Sequence, residues 1–110
     1  MKVLPLVAAV AAVFAFTTAN AAPDAAAAEK TLKDNGCTKC HSVDKAKKGP
    51  AFKKVAADMK GKADAEAKLT TFLTTGPKVK MDDGTQEEHK SLAGKDAASI
   101  KNLVQWILAQ

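Results

Sequence analysis

Apolar positions from residue 24 onward fall at helical spacing in four separate stretches. Asp24 stands where a helix N-cap is expected, ahead of the stripe Ala25, Ala28 and Leu32, and Asn35-Gly36 reads as a left-handed stop. Ser42 to Pro50 is polar and lysine-rich, a predicted loop. Phe52, Val55, Ala56 and Met59 mark a short second helix that Gly61 ends. Asp64 is the predicted cap of a third helix, with Ala65, Leu69, Phe72 and Leu73 inward and Gly76-Pro77 closing it. Lys78 to Lys95 reads as a polar connection of 18 residues with a turn signal at Asp82-Asp83-Gly84. That length is unusual for a structureless loop in a small domain and points to a ligand-wrapping segment. Asp96 then precedes the strongest pattern: Ile100, Leu103, Val104, Ile107 and Leu108 follow i, i+3, i+4, i+7, i+8. No strand alternation stands out and no repeat is visible, so the expected fold is all-α.

The first 21 residues have a different pattern. Lys2 precedes an apolar run from Val3 to Phe16, followed by small residues that include Ala19 and Ala21. This is the layout of a signal peptide cleaved after Ala21, and the run is short of the roughly 20 residues a membrane span needs. The expected organisation is therefore a leader over 1–21 and one exported, soluble domain over 22–110. A domain of that size with only Phe52, Phe72 and Trp106 as aromatics has a thin core, and commonly needs a disulfide, a metal or a large cofactor as a staple.

Charge narrows the partners. The 17 basic residues are all lysine, against 12 Asp plus Glu. Without arginine there are no bidentate grips on phosphates or base edges, so nucleic-acid readout is not expected. A scattered lysine surface suits brief docking on an acidic protein, where charge raises the association rate more than the affinity.

Both cysteines and one of the two histidines lie in Asn35-Gly36-Cys37-Thr38-Lys39-Cys40-His41-Ser42. A Cys37–Cys40 disulfide would close too small a ring to stabilise much. A thioredoxin-like redox pair needs a preceding strand, which is not seen. A zinc site could draw on Cys37, Cys40, His41 and His89, but adjacent Cys40 and His41 point in different directions. The remaining reading is covalent haem attachment, the specific meaning of Cys-x-x-Cys-His in an exported chain. Each thiol adds to one vinyl group, and His41 is then placed to bind the iron as proximal ligand.

With that motif in place, the whole domain resembles the small class I cytochromes c of bacteria. The resemblance runs through the first helix into Cys37–His41, then Lys48-Gly49-Pro50-Ala51-Phe52, a middle helix ending in glycine, and the last helix with Val104-Gln105-Trp106-Ile107-Leu108. It implies about four short helices wrapped around one covalent haem c, with crossed first and last helices. It further implies that the Pro50 carbonyl orients His41 through its other ring nitrogen and that Trp106 lies near the haem and its propionates, a core role for Trp106 standing equally open. Such proteins usually supply a distal methionine, followed by proline, from the loop before the last helix. Here Met81 is followed by Asp82, and it stands 5 residues after Gly76 and 25 before Trp106. His89 stands 13 after Gly76 and 17 before Trp106, which fits the family's spacing better. His89 is the expected distal ligand and Met81 the runner-up; Met59 sits on the apolar stripe of the second helix and reads as core.

The resemblance implies a periplasmic, monomeric electron carrier rather than an enzyme. Partners are expected at the haem edge near Lys39, Lys45, Lys47, Lys48, Lys53 and Lys54. A labile sixth position would instead make the protein a binder of carbon monoxide or nitric oxide.

Overall fold

The computed structural model describes residues 22–110 together with Val13, so the expected leader lies outside the described residues. Four helices follow in order: α1 (Ala25–Asp34), α2 (Phe52–Met59), α3 (Ala65–Thr75) and α4 (Ala97–Leu108). Between α1 and α2 a single 3-10 turn spans Cys37–Lys39. Between α3 and α4 lie two short strands, β1 (Lys78–Lys80) and β2 (Gln86–Glu88). None of the described helices is long and apolar enough to cross a membrane.

Local chemistry sets most of the helix ends. The Asp24 carboxylate accepts from the Ala27 amide, and Asp96 accepts from the Ser99 amide, each satisfying a donor that a helix start leaves open. Gly36 takes φ 68° just beyond α1, and Gly76 takes φ 56° at the end of α3. Asp64 departs from expectation. Its side chain caps nothing, its backbone (φ −101°, ψ 13°) is not that of an extended cap residue, and it pairs with Lys68 one turn on at 3.2 Å.

The last helix is the hub: α1, α2 and α3 each pack on α4. Leu103 and Val104 are fully buried there, flanked by Ile100, Trp106 and Ile107. Ala28 and Leu32 close the core from α1, Phe52 from α2 and Leu73 from α3. Phe52 meets Trp106 edge-on, centroids 5.6 Å apart. The α1–α4 crossing is pinned by a reciprocal pair, Asp24 N–H to Asn102 Oδ1 and Asn102 Nδ2 to the Asp24 carbonyl.

The segment predicted as an unstructured connection is instead an antiparallel hairpin, registered Lys78↔Glu88, Val79↔Glu87 and Lys80↔Gln86. Its strands are three residues long and five of the six side chains are exposed, so no burial alternation exists to be read. Its turn is held by Met81 and Thr85, whose backbones bond at 2.7 Å, and by Asp83, whose carboxylate accepts from the Thr85 hydroxyl and amide. Those two bonds hold the Asp83 carboxyl below its ordinary range.

Candidate functional site

The 3-10 turn presents the two thiols. Cys37 opens it and Cys40 closes it, and the amides of Cys40 and His41 both donate to the Cys37 carbonyl. Both thiols are half-buried and free. Burial pushes the Cys37 thiol above its ordinary value, an effect that nearby Lys90 only partly offsets. Beyond His41 the loop doubles back: the Gly49 amide donates to the Cys40 carbonyl at 2.8 Å and the Phe52 amide to the Ser42 carbonyl at 2.9 Å.

That fold-back fixes the His41 ring. Its Nδ1–H donates to the Pro50 carbonyl at 2.7 Å, the bond that the resemblance implied. One face of the imidazole stacks on Phe52, centroids 5.2 Å apart and planes inclined by 21°. The Gly49 backbone runs against the ring so closely that a Cβ there would lie 2.8 Å from Nδ1 and 2.9 Å from Nε2. Glycine is therefore required at position 49 for close approach, whatever its φ.

The hairpin delivers the second histidine. The His89 amide donates to the Pro77 carbonyl at 3.0 Å, one step beyond the Lys78↔Glu88 pair. The His89 Nδ1–H donates to the carbonyl of Lys90 at 2.9 Å, and Phe72 meets the ring edge-on at 4.8 Å. Gly76 lets this strand pass, since a Cβ there would come within 2.5 Å of the His89 carbonyl oxygen. The two imidazole centroids end 6.0 Å apart with planes at 52°. Because each Nδ1 is committed to a backbone carbonyl, each ring keeps Nε2 for another partner.

Between the histidines lies a cleft of about 320 Å3. Apart from the histidines and Lys68 its walls are apolar, with Leu32, Cys37, Val55, Leu69, Phe72 and Leu103 among them. Met59 also faces it. Met81 does not: it sits at the hairpin turn and faces a separate surface groove with Lys47, Lys48 and Asp83. Trp106 lies in the core, on Phe52, and lines a smaller crevice with His41 and Val43. The structure thus brings Cys37, His41, Pro50 and His89 to one cleft and leaves Met81 outside it. Among the described residues no three His, Cys, Asp or Glu side chains converge as metal ligands, so the four-ligand zinc arrangement is not formed.

Several residues that shape the site were not legible as such. Phe52 and Phe72 read as ordinary core, yet each packs on one histidine. Gly76 read only as a helix stop. The signal that singles out Gly49 is its place before Pro50, the residue whose carbonyl holds His41.

A haem fits this cleft. Two imidazoles sharing one metal through Nε2, at metal–nitrogen distances of about 2.0–2.1 Å, put their centroids about 6 Å apart, which is the separation observed. Apolar walls suit the macrocycle, and the Cys-x-x-Cys turn borders the same space. Helical fold, cleft and thiol pair together define a covalent haem protein. The chain matches the family model of cytochrome c over residues 25–110, and it belongs to that family. Cytochrome c-551 of Allochromatium vinosum is 40% identical over 94 residues, covering 86% of this chain and 97% of its own. Cytochrome c-551 of Pseudomonas aeruginosa is 34% identical, covering 74% of this chain and 75% of that protein. Among solved structures, the class 1 cytochrome MtoD of Sideroxydans lithotrophicus ES-1 aligns with TM-score 0.78 and 54% identity over 80% of this chain and 97% of its own. Nitrosomonas europaea cytochrome c552 aligns with TM-score 0.61 and 30% identity, over 74% and 96%. The protein is a small class I c-type cytochrome, an electron-transfer protein with one covalently bound haem c.

Proposed function

We propose that this cytochrome is a periplasmic, monomeric single-electron carrier with two histidine ligands. Cys37 and Cys40 hold the haem as thioethers, His41 takes the proximal position and His89 the distal one. Residues 1–21 serve as the export signal and 22–110 as the mature carrier. Acidic redox proteins dock at the edge bordered by Lys39, Lys45, Lys47 and Lys48.

The observation that carries this reading is the facing pair of imidazoles, each fixed by its own Nδ1–H bond with Nε2 left over. A bound haem supplies reversible one-electron chemistry at iron. The chain's part is to keep everything around it still. Pro50 and Lys90 lock both imidazole tautomers and make both nitrogens more basic, which strengthens them as ligands. Phe52 and Phe72 brace the rings against rotation, and the apolar walls keep water away. Paired imidazoles favour the ferric state more than a thioether does, so the potential lies below that of a methionine-ligated relative.

Visible and near-infrared spectra of wild type, His89→Ala and Met81→Ala in both oxidation states test the assignment. Wild type and Met81→Ala should be low-spin without the near-infrared band of a thioether-ligated ferric haem, and His89→Ala should turn high-spin. Survival of the low-spin spectrum in His89→Ala, with collapse in Met81→Ala, would sink it. Carbon monoxide binding rapidly to the ferrous wild type would favour the gas-binding alternative.

A further inference from the structure

Resting on the reading of His89 as distal ligand, we infer that Ser91 is the positioning residue that keeps His89 on the iron. It does so by stapling the chain beyond His89 to the open end of α3, thereby setting how readily the sixth position can be taken by another ligand.

The last turn of a helix leaves carbonyls without intrahelical donors. In α3 three successive ones are met in three ways. Gly76 N–H donates to Phe72 O at 3.1 Å, Leu92 N–H to Leu73 O at 2.7 Å, and the Ser91 hydroxyl to Thr74 O at 2.9 Å. Two of these three donors come from the segment directly after His89, so that segment completes the capping that Gly76 begins. The Ser91 oxygen also accepts from the Ala93 amide at 3.1 Å, which turns the chain towards α4. Ser91 Oγ is thus a two-way joint, donating backward and accepting forward.

The joint acts on His89 because no slack separates them. His89 N–H is bonded to Pro77 O on one side, and Leu92 is 1% exposed on the other. The Ser91 Cβ also packs where a side chain at Gly76 would stand, 3.0 Å from its ideal Cβ position. Phe72, which braces the His89 ring, is on the same helix turn as the carbonyls being capped. Moving the His89 backbone away from His41 therefore requires this seam to open. A serine is the smallest residue with both a donor and an acceptor at this reach, and threonine keeps both functions.

The measurement is the rate at which cyanide enters the ferric holoprotein, where cyanide replaces the His89 Nε2 and the imidazole leaves neutral. Ser91→Ala should raise that rate roughly three- to tenfold, the weight of the one neutral hydrogen bond, to Thr74 O, that ties the segment to α3, and Ser91→Thr should return it towards wild type. Asp24→Ala, which removes the distant α1 cap, is the control: it lowers thermal stability without changing the cyanide rate. Equal rates in wild type and Ser91→Ala, with His89→Ala high-spin, would overturn the role of Ser91 while leaving His89 as ligand. A low-spin His89→Ala protein would instead remove the reading on which the inference rests. Should Ser91→Ala load haem poorly, Ser91→Gly in the same assay decides, since it too loses both bonds and removes the Cβ that packs against Gly76.

Discussion

Each histidine is held by a backbone carbonyl and admitted by a glycine. Pro50 O and Lys90 O fix the rings; Gly49 makes room for the His41 ring and Gly76 for the backbone of His89. At Gly49 the fit is close enough to test. A methyl group in Gly49→Ala would press on Cε1, Nδ1 and Nε2 of His41, a ring that also stacks on Phe52. The Pro50 bond and the Phe52 stack resist a shift of the ring, so the strain should cost about 1–3 kcal/mol in the holoprotein, read from the guanidinium midpoint. The Pro50 bond should weaken with it, making His41 a poorer donor and so raising the potential, or mixing spin states in the ferric spectrum. Unchanged stability and an unchanged spectrum would mean that the loop yields freely. Legibility at this scale followed chemistry rather than position. Cys37, Cys40 and His41 announce themselves because few other uses need that spacing, and the Pro50 bond was expected from the resemblance. Phe72 and Gly76 announce nothing, because an aromatic on a helix stripe and a glycine after a helix look the same whether or not a ligand stands beside them.

Among the elements, α4 is the one the others depend on. Leu103 is 1% exposed at the point where the core meets the cleft, so truncation leaves a void that helices on three sides cannot easily fill. Leu103→Ala should cost about 2–5 kcal/mol by denaturant titration, whereas exposed Lys101→Ala should stay within about 0.5 kcal/mol. A loss for Leu103→Ala no larger than for Lys101→Ala would show that the haem, not α4, organises the core. All four helices were readable because each repeats its apolar period and is closed by local signals. The Asp64 cap failed in the backbone: at φ −101° and ψ 13° Asp64 is not in the extended geometry of a cap residue, and its carboxylate pairs with Lys68 instead. The hairpin was unreadable for a different reason. Its six residues bury almost nothing, so what holds it is backbone pairing and its attachment to α3, neither of which leaves a mark in side-chain pattern. This same hairpin consumes the residues that separate Met81 from His89. It carries Met81 to the far turn and returns the chain with His89 at the cleft, which is why spacing from Gly76 and Trp106 favoured the histidine.

For the molecule as a whole, charge is not evenly available. The chain carries a formal +5, but Lys53 pairs with Asp44 at 2.5 Å and Lys54 with Asp58 at 2.7 Å. Lys47 is drawn to the Thr38 carbonyl at 2.8 Å. Lys39, Lys45 and Lys48 have no carboxylate within ion-pair distance among the described residues. Replacing these three by glutamine should slow electron transfer to an acidic partner several-fold and flatten its dependence on ionic strength, while Lys53→Gln with Lys54→Gln should do less. Rates that ignore salt in the wild type would remove the docking role.

The cleft between the two histidines has a consequence for stability as well as for redox chemistry. Phe52, Leu73 and Leu103 lie at once in the core and on the wall of that 320 Å3 opening, so the protein's interior is complete only once it is filled. A haem attached there should therefore complete the core as well as the redox centre, so the haem-free chain should melt well below the holoprotein.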